Sequence, residues 1–259
     1  MDVHVITDAN KAAYAAELDQ LFRIRHRIYV EERKWREPSD DGRETDQFDT
    51  EHAVHLVGIR NGEIIAGSRF IPTTQPHLLS EVFPHLCTRN GVVRDSAVFE
   101  WTRGFIVPEY RETGGLLIKA QFCAAVMEYC LGEGINQIGG IQELYWLPLW
   151  KRFGWVVHVI GEPSEIDGDI CVPAYFDVSE DALNGVRQRA KLNHSILVHR
   201  GSQKFPRAIA SRPRPWISRS FMAVRWRRSS LARFVKAWRQ AIPPGKRLSK
   251  CHFCGPWRS

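Results

Sequence analysis

The last 60 residues of this chain hold 16 of its 36 lysines and arginines and none of its 29 aspartates and glutamates. A stretch of unopposed like charge resists compaction, so the sequence divides into a domain at 1–198 and a basic extension at 199–259. Residues 1–199 carry the opposite sign, 20 basic against 29 acidic residues, a net charge of −9. The pI of about 9.2 therefore describes the extension and not the body. A body of this length buries a sizeable core. A composition of 44% apolar and 25% charged residues excludes collagen-like, low-complexity and wholly disordered chains. No uninterrupted apolar run reaches the ~18 residues of a membrane span. Met1-Asp2-Val3-His4 places an acid where a secretory leader has basic residues. Together these predict a cytoplasmic protein. The six cysteines are irregularly spaced, which predicts small buried hydrophobes in place of a disulfide framework.

Strand and helix patterns alternate within residues 1–190. Val3–Thr7 reads as a strand, and Ala15, Leu18, Leu21, Phe22 and Ile28 recur at helical spacing between Ala12 and Glu31. Residues 36–51 form a long polar loop, a feature uncommon in compact domains unless it has a function. Val54–Arg60 and Glu63–Phe70 flank Asn61-Gly62, whose access to positive φ predicts a type I′ hairpin. Residues 97–107 read as a strand and 113–131 as an apolar helix ended by Gly132. A strand at Gln137–Ile141, a helix at Glu143–Arg152, and strands at Trp155–Ile160 and Asp169–Val178 follow. This mixture predicts one domain built on an α/β or α+β sheet of six or more strands.

Three charges fall where charge is costly. Arg69 lies among Ala66, Gly67, Phe70 and Ile71, and Glu100 and Arg103 lie among Val98, Phe99, Trp101, Phe105 and Ile106. They must be paired or functional. Alternation sends Glu100 and Arg103 to opposite faces unless a bulge intervenes. From the residues alone, an ion pair at a sheet edge and a reaction centre are both open readings. His52 and His55, three apart on an extended segment, point to opposite faces and predict no metal site.

Residues 21–35, LFRIRHRIYVEERKW, resemble the first helix of the LuxI-type acyl-homoserine-lactone synthases, which make quorum-sensing signals. Asp46-Gln47-Phe48-Asp49 is similar to that family's D-x-x-D segment. Arg69-Phe70-Ile71-Pro72-Thr73-Thr74 with Leu79-Ser80-Glu81-Val82-Phe83-Pro84 resembles its R-L-L-P-T-T…L-S-E-V-F-P block, and Glu100-Trp101-Thr102-Arg103 matches E-x-[ST]-R. The four blocks stand in the family's order. The resemblance implies an N-acetyltransferase-like twisted mixed sheet, with helices on both faces and a V-shaped thioester cleft. It also implies no permanent cofactor and no metal, the substrates being S-adenosylmethionine and an acyl thioester of coenzyme A or acyl carrier protein.

In the implied reaction the methionine amine attacks the thioester, and the methionine carboxylate then displaces methylthioadenosine to close the lactone. Glu100 suits the general base, with Arg103 as its catalytic companion. Arg25, Tyr29, Trp35, Asp46, Asp49 and Arg69 are implied for the S-adenosylmethionine site and its charge cluster. Asp46 and Asp49 suit the cationic end of the donor; Arg25, Arg69 and Arg103 are candidates for its carboxylate. Trp35 offers an aromatic face. Tyr29 stands where the family usually has Phe, and Trp101-Thr102 where Leu-Ser is commoner.

Gly140 occupies the position where synthases of 3-oxo signals carry Thr, which implies an acyl group with an unsubstituted β-carbon. Trp101, Trp146 and Trp150 would narrow the acyl pocket toward a short, branched or aromatic chain. Trp146 and Trp150 are also four apart on one helical face, as plain core packing requires. Arg111-Glu112-Thr113-Gly114-Gly115 partly fits the R-x-x-G-x-G/A pyrophosphate loop, with Leu116 at its last small position. Lys151 and Arg152 match a basic patch for the acyl carrier.

Two other classes stay open: an N-acyltransferase using acyl-CoA and a different amine, and a binding module acting through the extension. There, Phe221, Val224, Leu231, Val235, Trp238 and Ile242 recur at near-helical spacing among arginines. That pattern suits weak contact with an anionic membrane, although the composition equally fits disorder. No specific nucleic acid is expected. Cys251-His252-Phe253-Cys254 supplies too few ligands for a structural zinc site.

Overall fold

The computed structural model describes residues 1–112 and 114–200. The basic extension, including the candidate helix Phe221–Ile242 and the Cys251–Cys254 segment, lies outside the described residues, as does Thr113 of the glycine-containing loop.

Nine strands make one mixed sheet among those residues. They are β1 (Asp2–Ile6), β2 (Val54–Arg60), β3 (Glu63–Pro72), β4 (Val98–Ile106), β5 (Gln137–Glu143), β6 (Val157–Val159), β7 (Ser164–Ile166), β8 (Asp169–Asp177) and β9 (Leu197–Val198). Their spatial order is β6-β8-β5-β4-β3-β2-β1-β9, with β7 also against β8. β2 and β3 form the hairpin expected from Asn61-Gly62, with φ of 53° and 81° at the two turn residues. β1 and β4 flank it in antiparallel fashion, and β5 joins β4 in parallel.

That parallel contact is short. β4 and β5 pair only over Val98–Glu100 and Gln137–Gly139. Beyond it β4 stays with β3 and β5 stays with β8, so the two strands part into a V-shaped opening. Gly140, at φ 145°, is the first residue past the last pair, a conformation a side chain resists.

The helical reading of Ala12–Glu31 resolves into a 3₁₀ turn (Lys11–Tyr14), α1 (Ala15–Arg25) and a wider π-helical stretch (His26–Glu32). The π turn alters the helical phase, and it buries His26, Ile28, Tyr29 and Val30 behind Arg25. The reading of 143–152 as one helix is corrected. Glu143 ends β5, a 3₁₀ turn follows, and α4 (Leu147–Arg152) starts where Pro148 is tolerated, in a first turn. Trp155 precedes β6 and does not belong to it. The spacing argument also stops short of α5 (Glu180–Ala190). Its signals are the Ser179 cap, whose hydroxyl accepts from the Ala182 N–H at 3.1 Å, and two acids in the first turn. The short α2 (Leu78–Glu81), β7 and β9 are likewise missed.

Helices cover both faces. A Cβ on Gly58 would meet Ala66 and Phe122, which puts α3 (Gly115–Gly132) on that face, where α5 packs against it. Leu21 of α1 lies against Gly67 and Phe105 on the other. α3 has the length and hydropathy of a membrane span, yet it is largely buried in the core of this fold. Cys87, Cys123, Cys130 and Cys171 are buried free thiols.

Candidate active site

Between the pairs Arg69–Thr102 and Gly67–Phe105, β4 carries one residue more than β3. Arg103 lies in this bulge at φ 52°, a strained conformation for a residue with a side chain. The bulge overturns simple alternation. It turns Arg103 to the face of Arg69, Thr102 and Glu100, whereas a regular strand would have sent it to the face of Trp101.

On that face six charges meet. Arg25 donates to Glu44 at 2.6 Å and clasps both oxygens of Asp49 at 2.8 Å. Arg69 clasps Asp46 at 2.5 and 3.0 Å and reaches Asp49 at 2.9 Å. Arg103 donates to Glu44 at 2.7 Å and Asp46 at 2.8 Å. The aspartates also fold their own loop, since Asp46 accepts from the Phe48 N–H and Asp49 from the Asp46 N–H, both at 2.9 Å. Three arginines against three carboxylates leave the cluster neutral. All six side chains are at most 10% exposed. The arginines proposed for a substrate carboxylate are therefore already engaged with protein acids.

Burial alone would raise these carboxyl groups, but the arginines outweigh it. Glu44 is held below its ordinary range by Arg103 and Arg25, Asp46 by Arg69 and Arg103, and Asp49 by Arg25 and Arg69. His55, whose Nε2 is 3.9 Å from Asp49, is pushed down to about 3 by burial, reinforced by Arg25 and Arg69, and is neutral. Burial also lifts the Tyr29 hydroxyl to about 12. That hydroxyl donates to the Gly104 carbonyl at 3.0 Å, and the Arg103 guanidinium lies 5.2 Å from its ring. Trp35 stacks on Tyr29 at 5.5 Å, beside a surface depression of about 370 Å³ lined by Lys34, Trp35, Arg36 and Glu37.

Glu100 is fully buried at the fork of the V. Its oxygens accept the N–H groups of Leu78 and Leu79 at 2.9 and 2.8 Å, which ties α2 to β4. Burial raises its carboxyl above the ordinary range, only partly offset by those two N–H groups and by His77. A Cβ at Gly140 would come within 3.1 Å of the Glu100 Cγ, a tight approach, and the positive φ there strains any residue with a side chain.

The opposite face is aromatic. Trp101 stacks on Phe70 at 6.0 Å and approaches Trp150 at 5.4 Å and Trp155 at 6.1 Å. Trp150 stacks between Trp146 at 5.5 Å and Trp155 at 5.0 Å, and Phe176 packs against Trp101, Trp150 and Trp155. The indole N–H groups of Trp101, Trp150 and Trp155 are buried with no acceptor among the described residues.

An autoinducer synthase family model matches residues 9–186, a span that contains both faces and the fork. The chain belongs to the autoinducer synthase family. The synthase is 38% identical over 190 residues to isovaleryl-homoserine lactone synthase of Bradyrhizobium diazoefficiens, covering 72% of this chain and 84% of that one. Among solved structures it is similar to BjaI, a CoA-dependent acyl-homoserine lactone synthase with S-adenosylmethionine and isopentyl-CoA. That match has 37% identity and a TM-score of 0.73, covering 78% of this chain and 95% of that one. MesI, another CoA-dependent acyl-homoserine lactone synthase, matches at 32% identity and a TM-score of 0.70, covering 76% and 98%.

The remaining sequence candidates lie apart from the six-charge cluster. Lys151 and Arg152 are exposed at the end of α4, directly after Trp150 of the aromatic stack. Arg111 of the synthase is directed inward, donating to the Ile106 carbonyl and to Glu32, both at 2.9 Å, so it ties the loop to the body. Sequence reasoning missed Glu44, His55, Trp155 and Phe176. Glu44 had no signal beyond its place two residues before Asp46 in a polar loop.

Proposed function

We propose that this acyl-homoserine-lactone synthase takes its acyl group from coenzyme A and prefers a compact branched or aromatic chain without a 3-oxo group. The observation that carries the reading is the fork of β4 and β5, with Glu100 at its apex, the charge cluster on one face and stacked aromatics on the other. The likeness to two CoA-dependent synthases over most of the chain supports the donor. The aromatic packing, and the lack of a side-chain hydroxyl at Gly140 to meet a 3-oxo group, support the acyl preference.

The reaction joins S-adenosylmethionine to the thioester in two steps. The amine attacks the thioester carbonyl, an amide bond forms, and the carbon–sulfur bond breaks to release the thiol. Glu100 accepts the amine proton, through water where the gap requires it. The methionine carboxylate then attacks the γ-carbon, the sulfonium bond breaks, and methylthioadenosine leaves as the lactone closes. Arg103, at 10% exposure the least buried arginine of the three, is our candidate for that carboxylate, which it would meet while still paired to Glu44 and Asp46. The neutral cluster behind it keeps its guanidinium fixed. Tyr29 and Trp35 give the sulfonium an aromatic wall.

Product mass spectrometry with S-adenosylmethionine and a panel of acyl-CoA and acyl-carrier thioesters tests this. Lactone and methylthioadenosine should appear best with a branched or aromatic acyl-CoA. Acylated product without methylthioadenosine would mean a plain N-acyltransferase. The basic extension adds, on sequence alone, a weak affinity for anionic lipid, which vesicle flotation at low and physiological salt would detect and salt should abolish.

A further inference from the structure

Arg33 and Glu143 are joined by an ion pair of 2.6 Å between nearly buried side chains 9% and 13% exposed. Arg33 follows the π-helical stretch on the N-terminal side of the site, and Glu143 ends β5, the far arm of the V. Neither residue stands out in the sequence, and neither belongs to the six-charge cluster.

Each partner holds an aromatic ring. The Arg33 guanidinium lies 4.3 Å from the centre of the Trp35 ring, and Trp35 stacks in turn on Tyr29. The backbone reinforces this, with the Trp35 N–H bonded to the Tyr29 carbonyl at 2.9 Å and Lys34 held at φ 58° between them. Glu143 accepts the Trp146 indole N–H at 2.8 Å on one oxygen and the Tyr145 hydroxyl at 3.2 Å on the other. Trp146 begins the stack that runs through Trp150 to Trp155. One carboxylate thus orients an indole on the thioester side, and its partner arginine orients an indole on the other side.

We propose that the Arg33–Glu143 pair is a positioning bridge between the two substrate sites, setting Trp35 and Trp146 together so that S-adenosylmethionine binding and acyl selectivity are coupled. The proposal rests on the reading above that Trp35 faces S-adenosylmethionine and Trp146 the acyl group. A staple that only held β5 to the N-terminal segment would affect stability and leave both substrates' constants alone. A bridge affects both substrates from either end. An ion pair of this kind is directional, and a small displacement at a reacting site is amplified in rate.

The test uses the full chain with Glu143→Gln, Arg33→Met and the double variant, all soluble and folded by melting. Each single variant should raise KM for S-adenosylmethionine and for the acyl-CoA by about 10-fold, with a smaller change in kcat, and the double variant should be no worse than either single, as coupled contacts require. The preference for a branched over a linear acyl-CoA should fall in parallel. Arg27→Ala, which removes an exposed pair with Glu109, should change none of these. If Glu143→Gln does not fold, Arg33→Lys, which keeps the charge and shifts the nitrogen, carries the same expectations. Lower melting temperatures with unchanged KM values and selectivity, or strictly additive effects in the double variant, would overturn the bridge. Trp146→Phe separates the two layers of argument. A shift in selectivity there with silent bridge variants sinks only the bridge, whereas silence in Trp146→Phe as well sinks the acyl-pocket reading.

Discussion

On the Arg69 face of β4, every charged group in the cluster has at least one partner within 3 Å, and most contacts are bidentate or shared. On the Trp101 face, rings meet at 5.0 to 6.5 Å with interplanar angles from 3° to 83°. The first arrangement is directional, so replacing one member strands its partners in a buried site. The second has little directionality, so one ring can be exchanged for another shape at modest cost. Of the residues singled out in the sequence, Tyr29 and Thr102 lie with the arginines and aspartates on the charged face, and Trp101 lies on the aromatic one.

The sharpest way to break the comparison is to remove one cation. Arg69→Met leaves Asp46 and Asp49 short of a partner and should cost roughly 3–5 kcal/mol by denaturant unfolding, the scale for stranding a buried charge. Trp150→Phe, whose indole N–H has no acceptor among the described residues, should cost clearly less. Equal losses would erase the distinction. Acid provides a second view of the same cluster. Because the folded Glu44, Asp46 and Asp49 carboxyls lie below their unfolded values, their contribution is complete above the ordinary carboxylate range and is lost as pH falls through the lowered values. His55 begins the decline earlier. It is neutral in the fold down to about 3 but protonates near 6.5 when unfolded. Stability should therefore start to fall below about pH 6.5, at up to about 1.4 kcal/mol per pH unit from this one group, and His55→Gln should reduce that first limb to what His4, also lowered by burial, contributes.

Second in size is Glu100→Gln, for which we expect about a 100-fold loss of turnover, the usual scale for a general base. The raised carboxyl of Glu100 means that its basic form, and so the rate, grows as pH rises past the ordinary carboxylate range. The wild-type rate should show that limb and the Gln variant should not. Glutamine also loses one of the two acceptors that hold α2. A rate loss that keeps the wild-type pH limb would therefore mean that α2 moved and that Glu100 is a structural anchor.

The two faces differ as much in legibility as in physics. The Asn61-Gly62 hairpin and the strand around Glu100 could be read because each depends on local chemistry, positive φ and alternation, whereas Asp46 and Asp49 were singled out only by their resemblance to a family motif. Arg103 could not be oriented, because a bulge is decided by the partner strand and not by its own neighbours. Glu44 looked like one more solvated acid in a polar loop, and only the approach of Arg25 and Arg103 from two other elements gives it a role. Trp155 and Phe176 join Trp101 through tertiary packing that no spacing reveals, which left the aromatic side with three members named and two unnoticed.

A third expectation sharpens the aromatic half. Trp101→Leu opens space beside Phe70, Trp150 and Trp155. Discrimination by hydrophobic volume is soft, so we expect about a 10-fold shift of kcat/KM toward longer linear acyl-CoA substrates, with unfolding stability reduced and the pH limb of Glu100 unchanged. No shift in acyl preference would show the stack to be core packing alone.

The smallest expected effect comes from cutting the chain after Arg200. Both faces, the fork and the Arg33–Glu143 pair all lie within residues 25–176, so neither half of the comparison draws on the extension. Arg200 itself is worth keeping, since it donates to Glu17 at 2.9 Å and its guanidinium lies 5.0 Å from the centre of the Tyr14 ring, against α1 and the turn before it. The deleted segment carries the remaining 15 basic residues opposite a body, residues 1–200, of net −8, but exposed charges attract only over ~8 Å at physiological salt. Turnover, acyl preference and melting temperature of residues 1–200 should therefore match those of the full chain, and only adsorption to anionic surfaces at low salt should be lost. An insoluble or inactive truncation would mean that the apolar positions from Phe221 to Ile242 are buried against the body, and the domain would then have to be redrawn to include them.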